Sequence, residues 1–304
     1  MTTPLRPELT AGQAAGTVLV GLADAIEENL PGTLGNRDIE CLHQLRVAVR
    51  RTRSGIRAFR GIYQPPELTR FAPGFRWLQR ATGPARDLDV QLAGYDAELA
   101  YLPPDAAARL EPLHELLTLK RQAAHWSLLS ALTSTRYAEL LRRWRHFLDR
   151  PAGGPEADTP VRQAAGARIW RAYRRVVKPA RRITPDSPAE ALHDVRKRAK
   201  ELRYLLEFFA ELYPDDDLRR LVKALKKLQD NLGSFQDSEV QSAHLREWGE
   251  ELSLAGADEA TMLALGELIV HHETVSEQQR AEFTERFARF DDAANRDRFA
   301  TLFS

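Results

Sequence analysis

Apolar residues recur at three- and four-residue steps along almost the whole chain, and no segment shows strand-like alternation bounded by turns. Val18, Leu19, Leu22, Ile26 and Leu30 predict a first helix over 10–30, stopped by Pro31-Gly32. Leu42, Leu45, Val49, Ile56 and Phe59 predict a second over 37–63, closed by Pro65-Pro66. A third is expected over 67–82 despite Pro73, with Gly83-Pro84 ending it and a fourth opening at Asp87. Further helices are expected over 105–130 and 135–148. The run from Arg150 to Pro160 holds three prolines and two glycines and reads as a linker. Beyond it, helices are expected over 161–183, 189–213 and 216–232; then come Gly233, a further helix from Asp237, and two more over 257–272 and 275–292. The expected class is all-α.

The order of elements repeats across that linker. Laying residues 40–93 on 190–243 without gaps gives 16 identities in 54 positions, among them His43/His193, Arg46/Arg196, Arg53/Arg203, Gly83/Gly233 and Asp87/Asp237. Roughly 6% identity per position, or about three matches, is expected from ordinary composition. The expected architecture is therefore two related four-helix-bundle-like halves with pseudo-twofold internal symmetry, 1–150 and 161–304, joined by 151–160.

Helical spacing gives the repeat its chemistry. His43, Arg46, Arg50, Arg53 and Arg57 fall within an arc of roughly 80° on one helix. The second copy has His193, Arg196, Lys200 and Arg203, with Glu207 in the fifth place. Residues 40–60 carry six arginines against one glutamate, and like charges at these spacings each cost a helix a few tenths of a kcal/mol. An anionic partner would offset that repulsion.

Composition sharpens this. The formal net charge is only +1, but the central helices are basic and residues 250–297 mostly acidic, so a local patch outweighs the average. Only seven of the 44 cations are lysine; the arginine fork suits phosphate oxygens. Cys41 is the single cysteine, which excludes an internal disulfide and suits a reducing, cytoplasmic setting. No basic start followed by an apolar core suggests a signal peptide, and no run of about 18 apolar residues suggests a membrane span.

A second shared segment runs Leu78-Gln79 to Asp87 and Leu228-Gln229 to Asp237. Gly83 and Gly233 are expected to form left-handed C-caps. Asp87 and Asp237 are expected to cap or charge-complement the next helix, with a role in orienting His43 and His193 also open.

With His-x-[Leu/Val]-Arg at 43 and 193, the Arg/Lys ladders and the two Leu-Gln…Gly…Asp segments, the chain resembles the CHAD family (conserved histidine α-helical domain) over roughly residues 8–300. The resemblance implies two four-helix bundles whose histidines and cations surround a groove or pore that binds inorganic polyphosphate. Carried over residue by residue, His43, Arg46, Arg50, Arg53 and Arg57, with His193, Arg196, Lys200 and Arg203, are the implied ligands. Arg76 and Lys226 hold matching positions on the third helices, and Lys197, Lys223 and Lys227 are implied rim contacts. Glu207, Asp230 and Gln236 replace Arg57, Arg80 and Arg86, so the second half should hold phosphate more weakly on those edges. Members often accompany a triphosphate-hydrolysing tunnel domain; this sequence shows no Glu-x-Glu-x-Lys motif near its start, so the resemblance implies a stand-alone binding module without catalysis, cofactor or metal. Polyphosphate granules or a polyphosphate-metabolising enzyme are the implied partners.

Two alternatives stand beside this reading. A nucleic-acid or generic polyanion binder would use the same cations, although the basic faces lack stacking aromatics. A metal-dependent phosphohydrolase is suggested by His193-Asp194, but the first copy has Gln44 at the second position; His271 and His272 point about 100° apart on a helix and share a metal site with difficulty. No Gly-rich phosphate loop or nucleophile elbow is present.

Overall fold

The computed structural model describes residues 4–304, which form α-helices with no strand among them. The first part of the chain contains α1 (Ala11–Leu34), α2 (Ile39–Ala58), α3 (Pro65–Thr69), α4 (Ala72–Ala81), α5 (Gly83–Leu99), α6 (Pro104–Ala107), α7 (Glu111–Leu132) and α8 (Thr135–Leu148). After the 150–160 segment come α9 (Val161–Ala180), α10 (Ala189–Phe208), α11 (Asp215–Leu254), α12 (Glu259–Phe290) and α13 (Ala293–Phe303).

Local chemistry explains the starts. Thr10 and Gln13 form a reciprocal capping box at α1, and Asp38 caps α2 by accepting from the Glu40 N–H. Other boundaries differ from expectation. Pro31 lies inside α1, which continues to Leu34. The expected third helix breaks into α3 and α4, with Pro73 in the first turn of α4, where a missing N–H costs no intrahelical bond.

Gly83 and Gly233 are not left-handed caps: Gly83 is the first residue of α5, and Gly233 lies inside the 40-residue α11. Positive φ among the described glycines occurs at Gly61 and Gly256. Proline makes the difference between the copies. Pro84 cannot donate to the preceding turn and starts a new helix, whereas Ser234 at the corresponding position lets α11 run through. The expected break near residue 273 is likewise absent, since His272-Glu273-Thr274 holds neither glycine nor proline and α12 continues for 32 residues. The short α13, not expected, docks Phe299 and Phe303 onto Tyr173 and Tyr213.

One principal core, running from Leu5 through Leu19, Ile26, Phe59, Val195 and Phe209 to Phe303, takes side chains from both sides of the 150–160 segment. A smaller core joins Tyr95, Leu113 and Leu117 to Leu245, Trp248 and Leu265, so α5 and α7 pack against α11 and α12. The segment itself is non-helical but bound. The Gly154 and Glu156 N–H groups donate to the Ile62 and Gly61 carbonyls at 2.9 Å each, and the Gly12 N–H donates to the Ala157 carbonyl at 2.9 Å.

Residues 150 apart meet in three places. The Phe59 and Phe209 rings lie 6.1 Å apart; the Gln91 and Gln241 amides exchange hydrogen bonds; Thr10 and Pro160 form a bridge in which the Ala11 N–H donates to Thr159 and the Val161 N–H to Leu9.

Candidate functional site

Helices α2 and α10 begin and end 150 residues apart, at 39–58 and 189–208, and touch toward their C-terminal ends. The apolar stripe of each is buried, with α2 packed mainly on α1 and α4 and α10 mainly on α9 and α11: Leu42, Leu45, Val49 and Ile56, and Leu192, Val195, Leu202 and Leu206. Arg51 ties the two helices together, with its guanidinium 5.2 Å from the Phe208 ring centroid and 3.8 Å from the Glu207 carboxylate. The remaining face of each helix carries the ladder, and the two ladders come within electrostatic reach of one another at Arg50 and Lys200. Burial, with Arg196, Arg50 and Arg203 nearby, lowers the Lys200 amine to about 8 against the pull of Asp237.

The other ladder members fall into two environments. On α2, His43 is half-buried, and burial together with Arg86, Arg50 and Arg46 holds its imidazole below the ordinary value despite Glu40. Arg46 is held inward: it donates to the Gln79 carbonyl and the Thr82 hydroxyl at 3.1 Å each and lies 3.8 Å from Asp87. Arg53 is depressed by burial and by Arg57, Arg76 and Arg80 around it, a cluster of four guanidinium groups. Arg57 is exposed and donates to the Ser54 hydroxyl at 3.2 Å. On α10, carboxylates accompany the cations. His193 pairs with Glu239 at 2.7 Å, Arg196 with Asp237 at 3.2 Å, Arg203 with Glu207 at 2.6 Å and Lys197 with Asp194 at 3.1 Å. The first half therefore presents the more strongly cationic side.

The structure brings together His43, Arg46, Arg50, Arg53, Arg57 and Arg76, and sets Arg196, Lys200 and Arg203 against them. Lys226 is exposed on α11. Lys223 and Lys227 are not gathered at the ladder: they open onto a separate recess of about 230 Å³ with Arg220 and Phe290. Asp87 and Asp237 orient the ladder arginines rather than the histidines, and Glu239 holds His193. Gly83 and Gly233 lie beneath those same arginines, 3.5 and 3.9 Å from where a Cβ would stand.

Arg80 and Arg86, which the resemblance implied only as edge cations of the first half, lie close to Arg53 and His43 respectively. Their counterparts are Asp230 and Gln236, so the second half has no matching cations there. A groove of about 830 Å³ adjoins the ladders, with Asp87, Gln91, Asp237, Gln241 and His244 along it.

No group of three or more His, Cys, Asp or Glu side chains suited to a metal ion occurs among the described residues. His193 and Asp194 have different partners, Glu239 and Lys197. His271 stacks on Tyr101 at 3.8 Å between ring centroids, whereas His272 pairs with Glu98 at 2.7 Å. No helix among the described residues is long and apolar enough to cross a membrane.

Comparison with known proteins bears on the whole of this arrangement. Two curated proteins of Mycobacterium tuberculosis, the uncharacterized proteins MT2285 (strain CDC 1551 / Oshkosh) and Rv2226 (strain ATCC 25618 / H37Rv), are each 30% identical over 268 residues, covering 85% of this chain. The chain spans about half the length of these relatives, 50% of each. The crystal structure of the CHAD domain from the plant Ricinus communis superposes with a TM-score of 0.73 at 28% identity, over 99% of this chain and 96% of that one. PptA from Streptomyces chartreusis shares the fold, with a TM-score of 0.68 at 20% identity over 91% and 99% of the two chains. The model of the CHAD domain matches residues 18–246, which contain both ladders and both Gly…Asp segments, and the chain belongs to the CHAD domain family.

Proposed function

We propose that this chain binds inorganic polyphosphate along the track formed by the two ladders, as a binding module without catalysis. The observation that carries the reading is the approach of Arg50 and Lys200 across α2 and α10. Four cations, Arg50, Arg196, Lys200 and Arg203, crowd one half-buried place; Asp237 and Glu207 pair with Arg196 and Arg203, while among the described residues no carboxylate lies within 4.0 Å of Arg50 or Lys200. Such crowding is unfavourable in the free protein and becomes favourable when a linear polyanion enters. Arg53, Arg57, Arg76 and Arg80 extend the track along the first half. Inorganic polyphosphate has charge along its whole length and no bases, which suits a track of guanidinium and ammonium groups that lacks aromatic platforms. Granule association or control of a polyphosphate-metabolising enzyme would follow from such binding.

Titration of the protein with long-chain polyphosphate, competed with single-stranded RNA and DNA at two salt concentrations, tests this. Binding should weaken with salt and resist nucleic-acid competition. Arg50→Ser with Lys200→Ser should abolish most of it while leaving the helical signal unchanged. Equal or tighter binding of nucleic acid would make the ladders a generic polyanion track, and release of orthophosphate with a divalent ion would replace the binding module by a phosphohydrolase.

A further inference from the structure

A second basic recess lies away from the ladders. It is a pocket of about 690 Å³ on the outer face of α9, closed on one side by α10 and on another by Leu302 and Phe303 of α13. Arg198 marks its independence. It stands five residues after His193, which turns it about 140° from that histidine and to the opposite side of α10 from the ladder. The Arg198 guanidinium donates to the Arg175 carbonyl at 3.2 Å and so fixes one wall.

Arg162, Arg171, Arg174, Arg175, Lys178 and Arg198 line the pocket, and no Asp or Glu side chain does. None of the six has a carboxylate side-chain oxygen within 4.0 Å among the described residues. This separates them from most other cations on the second half: Arg203, Arg219, Arg286 and Arg289 are each paired within one helical turn. The patch is also outside the repeat. The positions 150 residues earlier are Gly12, Gly21, Asp24, Ala25, Glu28 and Ala48, with two acids and no cation, and Asp24 is held by Arg145 at 2.7 Å.

Trp170 distinguishes this pocket from the ladder track. The indole lines the pocket while Tyr173 stacks against it at 5.6 Å between centroids and 28° between planes, which holds the ring in place. Arg171, Arg174, Arg175 and Lys178 follow it at +1, +4, +5 and +8 on the same helix. A fixed aromatic ring beside several unpaired guanidinium groups, in a pocket of small-molecule size, is the combination that recognises a base and its phosphates together.

We propose that the outer face of α9 is a nucleotide site, in which the base stacks on Trp170 and two or more phosphates are held by Arg171, Arg174, Arg175, Lys178 and Arg198. The inference is independent of the ladder reading, and the test separates the two. The full chain carrying Arg50→Ser and Lys200→Ser, which removes the central ladder cations, is titrated calorimetrically with ATP and with inorganic tripolyphosphate. ATP should bind about tenfold more tightly than tripolyphosphate, the scale of one base–aromatic stack.

Adding Trp170→Ala should remove that preference, Trp170→Phe should largely restore it, and Arg174→Ser with Arg175→Ser should weaken both ligands. Absence of ATP binding, equal affinity for the two ligands, or an ATP affinity unchanged by Trp170→Ala would overturn the proposal. Displacement of ATP by a Glu-rich peptide of higher affinity would also overturn it, in favour of an acidic protein partner.

Discussion

Lys200 gives the sharpest test of the site. In the folded chain its amine falls from 10.5 to about 8, chiefly through burial and secondarily through Arg196, Arg50 and Arg203. That fall corresponds to about 3 kcal/mol of penalty for keeping the amine charged. Partial solvent access and the neighbouring Asp237 reduce the recoverable part to roughly 1–2 kcal/mol. The sign follows from proton linkage. Between about 8 and 10.5 the unfolded chain binds more protons at Lys200 than the folded chain, so stability rises with pH through that window, and the full penalty is present below it. Lys200→Met keeps the aliphatic volume and removes the charge. It should therefore stabilise the protein at pH 7 and lose that advantage near pH 10, measured as the difference between variant and parent in urea unfolding at each pH. The same variant should bind polyphosphate more weakly at pH 7, because the penalty it removes is the one that the ligand relieves. A variant less stable than the parent by the same amount at both pH values would refute the reasoning, since Lys200 would then contribute packing and no electrostatic cost.

Other expectations concern the same ladders and the segment between the two parts of the chain. Arg46→Ala should cost about 2 kcal/mol in urea unfolding, because it removes two charge-assisted hydrogen bonds, to the Gln79 carbonyl and the Thr82 hydroxyl. Arg57→Ala, exposed, should stay within about 0.5 kcal/mol; equal losses would show that Arg46 is not a structural member of the ladder. Polyphosphate affinity should rise as pH falls from about 8 to 6, since the anion favours the charged form of His43, which burial and Arg86 disfavour in the free chain. In the free protein this depressed imidazole should lower stability as pH falls below 6.5, and His43→Asn should flatten both profiles. Gly154→Ala places a Cβ 2.4 Å from the Gly61 carbonyl oxygen and 2.6 Å from that of Ile62, and should lower stability by about 2–4 kcal/mol. Gly153→Ala meets nothing within 4 Å and should be close to neutral in urea unfolding, the measurement that also checks Gly154→Ala.

Much of the site was legible because a helix converts spacing into a face. The 43, 46, 50, 53 and 57 positions needed only the 3.6-residue turn to be aligned, and the helices that carry them start and stop within a few residues of expectation. What escaped were partners from other helices. Arg80 and Arg86 were named only as edge cations, and their approach to Arg53 and His43 from α4 and α5 is hidden by sequence distance. Glu239 and Glu207 partly neutralise the second ladder, an asymmetry of which only the Glu207 half could be read along one helix. Lys223 and Lys227 were implied only as rim contacts, and their side of α11 opens on another recess.

The sequence by itself determined the helical class, the two cationic faces, their 150-residue offset and the apolar stripes opposite them, because each depends only on residue type and helical period. Helix ends at prolines were partly determined: Pro84 breaks the chain where Ser234 does not, yet Pro31 is carried through. Tertiary structure alone decided that both parts share one core, that Arg50 and Lys200 come within electrostatic reach of one another, and that Asp87 and Asp237 hold arginines rather than histidines. It also decided that the α9 arginines surround Trp170 in a pocket of their own. The physical reason is the same throughout: a pattern along one helix fixes which side chains share a face, whereas charge compensation and burial depend on which other helix that face meets.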